Sequence, residues 1–402
     1  MGAVKLLKFY NCGSVACGML GVRKLGFACC VVFLSYCGAF IRVPVVPLYA
    51  SKLGAGVFEV GAIVFGFMIA AGALSVPMGI VSDLIGRRRP VLVGLAMNSA
   101  CSLLLAASHT PLQLLASYTA GGVGVASFSP SLSSYVSDVS GNRVGRAFGF
   151  YLASLQIGMA AGSALGGVLA ELLGLRRTLA SSGLVIAAAL VLAYFTLLER
   201  PRVPVEKPKL SPSKLMKPSI IGAWGSTLAM SSSIGLLLPF LPLYARELGA
   251  SRVAIGAIFS AQSVANSLGR IPAGYASDSV GGRPVAVAGM LGVAAAMVAT
   301  SLASSLEALA AAVALAGLSA GVFSTAANSI LSEEAPQDLR GASISGFNAF
   351  LYLGYALSSL VGGVAVERLG YPLSFRAAGF LAALAAVALI VSCMVPHRSL
   401  ED

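Results

Sequence analysis

The chain states its plan twice, 195 residues apart. Pro47-Leu48-Tyr49-Ala50 returns as Pro242-Leu243-Tyr244-Ala245, and Leu53-Gly54-Ala55 as Leu248-Gly249-Ala250. The same offset joins Gly61 to Gly256, Pro77 to Pro272, Gly79 to Gly274, Asp83 to Asp278 and Gly86 to Gly281. After one extra residue in the second copy it runs on through Gly158 and Gly354, Gly166-Gly167 and Gly362-Gly363, Glu171 and Glu367, Gly174 and Gly370. A repeat spanning nearly all of the 402 residues means two matched folding units.

The medium in which those units fold follows from charge. Only 10% of residues are charged and 57% are hydrophobic. A soluble domain carries about 25% charged residues, so this chain cannot cover a water-facing surface. Charge-free stretches include 60–82, 90–137, 147–170, 178–198, 218–245, 253–269, 284–306, 308–332, 341–366 and 377–396. A helix needs about 20 mostly apolar residues to span a bilayer. The run 90–137 holds two spans, broken at Ser108-His109-Thr110-Pro111. The count is twelve, six per half: 26–50, 59–81, 89–107, 112–134, 147–170, 179–198, 219–243, 253–276, 285–303, 308–331, 341–364 and 373–395. Helices are expected because lipid requires backbone hydrogen bonds to be closed within the segment. The fold class is therefore an all-α membrane protein. Six is even, so both copies enter from one side, as two pseudo-symmetric parallel six-helix bundles.

Lys and Arg set the orientation. Nineteen, Arg270 among them, are assigned to the face of the termini and the even-to-odd loops, and eight to the other. Both termini are thus expected to be cytoplasmic, in a multi-pass plasma (cell) membrane protein. The net charge of +12 then belongs to a membrane surface, and no nucleic-acid partner is implied. The expected division is an N-terminal cytoplasmic or interfacial segment 1–24, a bundle 25–198, a proline-rich cytoplasmic linker 199–217, a bundle 218–396 and a tail 397–402. Met19 is an alternative start to Met1. Seven cysteines without a CxxC pair, and two isolated histidines, suggest neither a disulfide framework nor a metal. No cofactor is implied, and no catalytic constellation that would make the chain an enzyme.

The most specific local signal follows the second span: Gly79-Ile80-Val81-Ser82-Asp83-Leu84-Ile85-Gly86-Arg87-Arg88-Arg89-Pro90. Its copy is Gly274-Tyr275-Ala276-Ser277-Asp278-Ser279-Val280-Gly281-Gly282-Arg283-Pro284. This pattern resembles the G-x-x-x-D-[RK]-x-G-[RK]-[RK] signature of the major facilitator superfamily, with Leu84 departing from it. The resemblance implies the twelve-helix fold of that family and a cytoplasmic gate made of Gly79, Asp83, Gly86, Arg87, Arg88 and Arg89, with a thinner copy at Gly274, Asp278, Gly281 and Arg283. It places Asp83 near the start of the eleventh span, at Arg340 and Gly341, and Asp278 near Arg146, while the protein faces outward.

In the fifth span Gly149, Gly158, Gly162, Gly166 and Gly167 match the G-x8-G-x3-G-P-x2-G-G pattern of the family's efflux members, with Ser163 where they carry proline. That resemblance implies multidrug or metabolite efflux coupled to protons. The residues themselves supply no clearly intramembrane Asp, Glu or Lys for a proton relay. Tyr118 stands where proton-driven exporters often carry arginine.

Arg42 is the charged outlier within a span. It reads either as a cavity residue that attracts an anionic substrate group or pairs with a mobile acid, or as a side chain that snorkels to the outer headgroups. Tyr36, Tyr118, Gln156, Gln262, Asn328 and Asn348 are further substrate-binding candidates, because the family lines its pore from the helices that carry them. Asn98 and Asn266 are weaker ones. The implied cavity is mostly apolar. The expected function is secondary active transport of a small molecule by alternating access, foremost efflux of lipophilic compounds, by a monomer in the lipid bilayer. Uptake or exchange of an organic anion, sugar or other metabolite is the alternative, and a channel or scaffold the remaining class.

Overall fold

A computed structural model describes residues 24–140, 144–197, 217–335 and 339–394. Segment 1–23, the linker from 198 to 216 and the tail from 395 onward lie outside the described residues, so the expectations for Met19, the linker and the tail do too. The described residues are helical, without a strand. The helices are α1 (Lys24–Lys52), α2 (Val57–Ile85), α3 (Arg88–Ala107), α4 (Pro111–Ser140), α5 (Val144–Leu173) and α6 (Leu175–Thr196) in the first half. In the second they are α7 (Pro218–Glu247), α8 (Arg252–Val280), α9 (Gly282–Leu302), α10 (Leu306–Glu334), α11 (340–369) and α12 (371–394). The last two form one continuous stretch bent at Gly370, whose φ of 78° only glycine adopts without strain.

Among the described residues nine helical stretches are long and apolar enough to cross a bilayer, and the last of them holds both α11 and α12. The long helices outside that set, α4 and α8, are diluted by serines in one and by Gln262, Asn266 and Arg270 in the other. Polar groups inside a span point to contact with something other than lipid. Elsewhere the outer surface is greasy: Leu172 is 75% exposed, Phe195 74% and Leu112 73%.

Ends are set by local chemistry. Glu59 accepts the Gly56 N–H at 2.8 Å to start α2. Ser251 accepts the Ala254 N–H at 3.2 Å to start α8. Each side chain thereby satisfies a backbone donor that the first turn leaves free. Gly86 and Gly281, at φ 96° and 89°, close α2 and α8 before the arginine loops. Helix α1 is interrupted at Val43-Pro44 and α7 at Gly235-Leu236, where Pro44 and Pro239 cannot donate to the preceding turn.

The repeat recurs contact by contact. Tyr49 Oη donates to the Ser108 carbonyl at 2.8 Å, and Tyr244 Oη to the Ala303 carbonyl at 3.1 Å. Gly94 lets α3 lie against Phe128 of α4, and Gly289 lets α9 lie against Phe323 of α10. Gly122 packs on the Phe67 carbonyl and Gly317 on the Gln262 carbonyl. Each pair differs by the repeat offset, so the two halves share one architecture residue by residue.

The halves meet through α2 with α11 and α5 with α8. Lipid tails give no hydrophobic reward for helix pairing, so close backbone approach through small residues does the joining. Gly61 sits against the Ser359 carbonyl and Gly256 against the Ser163 carbonyl, again equivalent positions. A side chain at either would push the bundles apart.

Candidate functional site

The loops at 86–87 and 281 mark the near face of the molecule, and those at 53–56 and 248–251 the far face. The bridges between bundles fall on the far half and at the midplane. At the far end Arg252 Nη1 donates to the Ala170 carbonyl at 2.7 Å, and the Arg252 N–H to Glu171 Oε2 at 3.3 Å. Gly363 lies on Phe58 and Gly167 on Gly256. At the middle of the long helices Gly72 touches Tyr352, and Gln156 Nε2 donates to Asn266 Oδ1 at 3.0 Å. Further toward the near face Gly79, Gly149 and Gly274 have open space where a Cβ would stand. The apolar core repeats this division. One cluster runs unbroken from Val45, Val60 and Tyr118 of the first bundle into Leu237, Phe240 and Phe259 of the second. The near half of the first bundle, around Ala28, Leu95, Phe128 and Tyr151, forms a separate cluster. The far side is bridged beneath a vestibule of ≈ 670 Å³ bordered by Lys52, Arg246, Glu247 and Arg252, and the open space at Gly79, Gly149 and Gly274 marks a near side where the bundles stand apart.

The arginine loops sit at the parted ends. Arg87 pairs with Asp83 one turn back and reaches Asp138 Oδ2 at 3.2 Å, both in its own bundle. Arg88 donates to the Tyr194 carbonyl at 2.8 Å and lies 5.2 Å over the Tyr194 ring. Arg89 is exposed. In the second copy Arg283 pairs with Glu334 at 3.2 Å, and Asp278 is exposed. Among the described residues no ion pair joins Asp278 to Arg146, which is also exposed. The side chains of Arg340 and Gly341, expected beside Asp83, are outside the described set. The contacts named here for Arg87, Arg88 and Arg283 lie within their own bundles.

Of the fifth-helix glycines, three act together. Gly158, Gly162 and Gly166 receive the backbone of α1 at Phe33, Cys37 and Ile41, one turn apart each time. Gly167 faces the other bundle, and Gly149 faces nothing.

Arg42 occupies neither of the places expected for it. It is 1% exposed, inside the first bundle between α1, α3 and α4. Nη2 donates to Asn98 Oδ1 at 2.6 Å and Nη1 to Ser102 Oγ at 3.1 Å, with Cys101 Sγ at 3.4 Å and the Tyr118 ring 5.9 Å away. Arg42 Nε and Asn98 Nδ2 have no partner, and among the described residues no carboxylate pairs with the guanidinium. Headgroup contact and solute contact are both out of its reach in this conformation. Tyr118 stacks on Phe67 with centroids 4.5 Å apart, and so belongs to the same interior.

The other candidates separate cleanly. Tyr36 Oη lies 2.9 Å from Ser129 Oγ, and its neighbours Tyr151 and Tyr352 bring both bundles to that point. Gln156 reaches across to Asn266. Gln262 is part-buried on Gly317, Asn328 Nδ2 is spent on the Ser324 carbonyl at 2.7 Å, and Asn348 is exposed near the parted end. These last three are not gathered with the first group.

Arg270 ends a charge-free run and is counted above with the near-face loops, although the expected span 253–276 contains it; it lies inside α8, ten residues before Val280. At the rise of an α-helix that is about 15 Å from the helix end. Its Nε donates to Asn266 Oδ1 at 3.0 Å. Asn266 Nδ2 donates to the Gly317 carbonyl at 3.1 Å, which fixes the amide so that its oxygen serves both Arg270 and Gln156. The signal that finds Arg270 is its repeat partner, Ser75. A charge absent from the other copy is not demanded by the shared scaffold.

What this arrangement can do is hold a solute between two bundles that part on one side. It offers amide, tyrosine and guanidinium groups at mid-depth, and among the described residues no group of His, Cys, Asp or Glu able to hold a metal.

The match to known proteins agrees with that geometry. An uncharacterized MFS-type transporter of Methanocaldococcus jannaschii is 25% identical over 187 residues, 46% of this chain and 47% of that protein. The quinolone resistance protein NorA of Staphylococcus aureus is 27% identical over 141 residues, 35% of this chain and 36% of its own. The aligned region thus spans less than half the length of either relative. Among solved structures, a bacterial homolog of the human lysosomal transporter Spinster superposes with a TM-score of 0.79 at 14% identity, covering 93% of this chain and 97% of that one. The nucleoside transporter NupG does so with 0.75 at 12%, covering 93% and 100%. The Major Facilitator Superfamily profile matches residues 28–231 and 223–401, essentially the whole described chain. With its twelve helices in two matched bundles, this chain belongs to the Major Facilitator Superfamily.

Proposed function

We propose that this chain exports lipophilic, drug-like compounds across the plasma membrane, driven by protons, as a monomer with both termini in the cytoplasm. The observation that carries alternating access is the division of the seam: joined by equivalent glycines on the far side, parted on the near side. Rocking one bundle on the other would close the near face and open the far one. Asp83 with Arg87, Arg88 and Arg89, and Asp278 with Arg283, are the groups that would then latch the near face, each across to the opposite bundle. Gly79, Gly86, Gly274 and Gly281 let those loops approach. Gly158, Gly162 and Gly166 give α1 a groove along α5 in which to shift.

A mostly apolar interior with sparse polar groups suits an amphipathic solute better than a sugar. The glycine pattern of α5 and the partial likeness to a quinolone resistance protein support export. Among the described residues every Asp and Glu lies within about one turn of a helix end, so a coupling proton would bind there rather than at mid-membrane.

Purified protein in liposomes tests the reading. With an imposed pH gradient, a lipophilic dye should be moved against its concentration gradient, and a protonophore should abolish that movement. Dye movement that ignores the pH gradient removes proton coupling. No movement across a broad panel, together with uptake of one metabolite, replaces export by the alternative.

A further inference from the structure

We infer that the carried solute is an anion and that Arg270, at the seam between the bundles, is the group that holds its charge. The inference rests on the transport reading above and names the solute class for it.

The first ground is what surrounds Arg270. It sits past the middle of a helix that must cross the bilayer, where an unpaired guanidinium costs several kcal/mol. Asn266 takes its Nε. Among the described residues its two terminal nitrogens make no hydrogen bond and have no carboxylate within ion-pair distance. Yet they are not among the buried atoms left without a partner. Both therefore keep some exposed surface on a side chain that is itself only part-buried, and an unpaired planar fork is the geometry that pairs with a carboxylate or similar oxyanion.

The second ground is where that space lies. Asn266 is the residue that Gln156 reaches from the other bundle, so Arg270 stands one turn from the innermost bridge, on the side where the bundles part. Tyr355 of α11 is close enough to act on Arg270 electrostatically, and Tyr352 on Tyr355 and Tyr36. Tyr36 and Tyr151 close the ring from the first bundle. Amides on one flank and tyrosines on the other suit an oxyanion attached to a flat or apolar body.

The third ground is the sign of the whole interior. Among the described residues the two charges deep inside helices are Arg42 and Arg270, both positive, and the carboxylates lie near helix ends. In a low-dielectric interior such a field repels a lipophilic cation and draws in an anion. Neither arginine is repeated: Leu237 and Ser75 hold the equivalent positions.

The test uses the full-length protein and three probes of one shape: naphthoate, its uncharged methyl ester and naphthylmethylammonium. Titration calorimetry on the wild type should show naphthoate bound at least about tenfold tighter than either, a difference of about 1.4 kcal/mol. Arg270→Gln should erase that preference while changing ester affinity less than about twofold, and Arg270→Lys should keep part of it. Melting temperatures of the variants guard against loss of fold, and Arg368→Gln, which removes an exposed charge at a helix end away from the seam, should keep the preference. Naphthoate that does not bind the wild type, or binds no better than the ester, overturns the inference, as does a preference that survives Arg270→Gln. If Arg270-dependent binding is found but liposomes accumulate none of the probes, the transport reading fails and the anion site stands.

Discussion

Two equivalent places in the molecule are built from opposite materials. Around Arg42 the first bundle packs Asn98, Cys101, Ser102 and Tyr118. At the same positions in the second copy stand Leu237, Val293, Ala296, Met297 and Val313, all buried and apolar. The contacts that flank both places are the same, from Tyr49 and Tyr244 at the far end to Gly94 and Gly289 below. The chain thus carries its own control: the same contacts form around an apolar core. A buried guanidinium with an unpartnered Nε and no counter-charge is what the first bundle keeps in spite of its cost, not what holds it together.

The largest effect that can break this comparison comes from removing the charge alone. Arg42→Ala leaves a cavity and strands Asn98 and Ser102, and should cost about 3 kcal/mol. Arg42→Leu combined with Asn98→Val and Ser102→Met, which copies the second bundle, should come within about 1 kcal/mol of the wild type. Melting curves in detergent read the difference. A triple variant as unstable as Arg42→Ala would mean that the two bundles are not interchangeable here. Transport by the triple variant then shows what the charge contributes to turnover.

A middle-sized effect probes the seam. Gly61→Leu and Gly256→Leu, at equivalent positions on opposite bundles, should each cost about 1–3 kcal/mol by overpacking. Both should lower the yield of a far-face cross-link between cysteines placed at Lys52 and Arg246. Because the two glycines play one role in two copies, their effects should be alike.

The smallest effect on stability belongs to the gate. The Asp83 side chain is 62% exposed. An ion pair so open to solvent is worth little, and Asp83→Asn should change stability by less than about 0.5 kcal/mol. It should nevertheless slow turnover, and Asp278→Asn should slow it less, since the second loop has two arginines fewer after its glycine turn. Initial rates of liposome transport check both.

Much of the fold was legible because its causes are local or periodic. Charge-free runs mark the spans, and the repeat offset sets the pairing of halves. The site was less legible for a physical reason. Whether a polar residue in a span faces a neighbour helix, a seam or lipid depends on helix rotation, which charge counting does not see. Gln156 and Asn266 meet across the seam, yet nothing in either stretch of sequence points to the other. Arg42 stands out as a charge in a span, but the neighbours that bury it lie on two other helices. Arg270 escapes because an arginine at the end of a charge-free run is counted with the loop beyond it. Only comparison with Ser75 shows it to be an addition to the scaffold.

The most direct test of alternating access is a pair of spin-label distances, measured on protein whose seven native cysteines have been replaced. One pair spans the far mouth, at Lys52 and Arg246, and the other the near mouth, at Arg146 and Asp278, all four exposed and each pair crossing the bundles. Without solute the far distance should be short and sharp and the near one long. Adding naphthoate in the presence of a pH gradient should lengthen the first while it shortens the second. Two distances that stay fixed, or that lengthen and shorten together, would contradict the account.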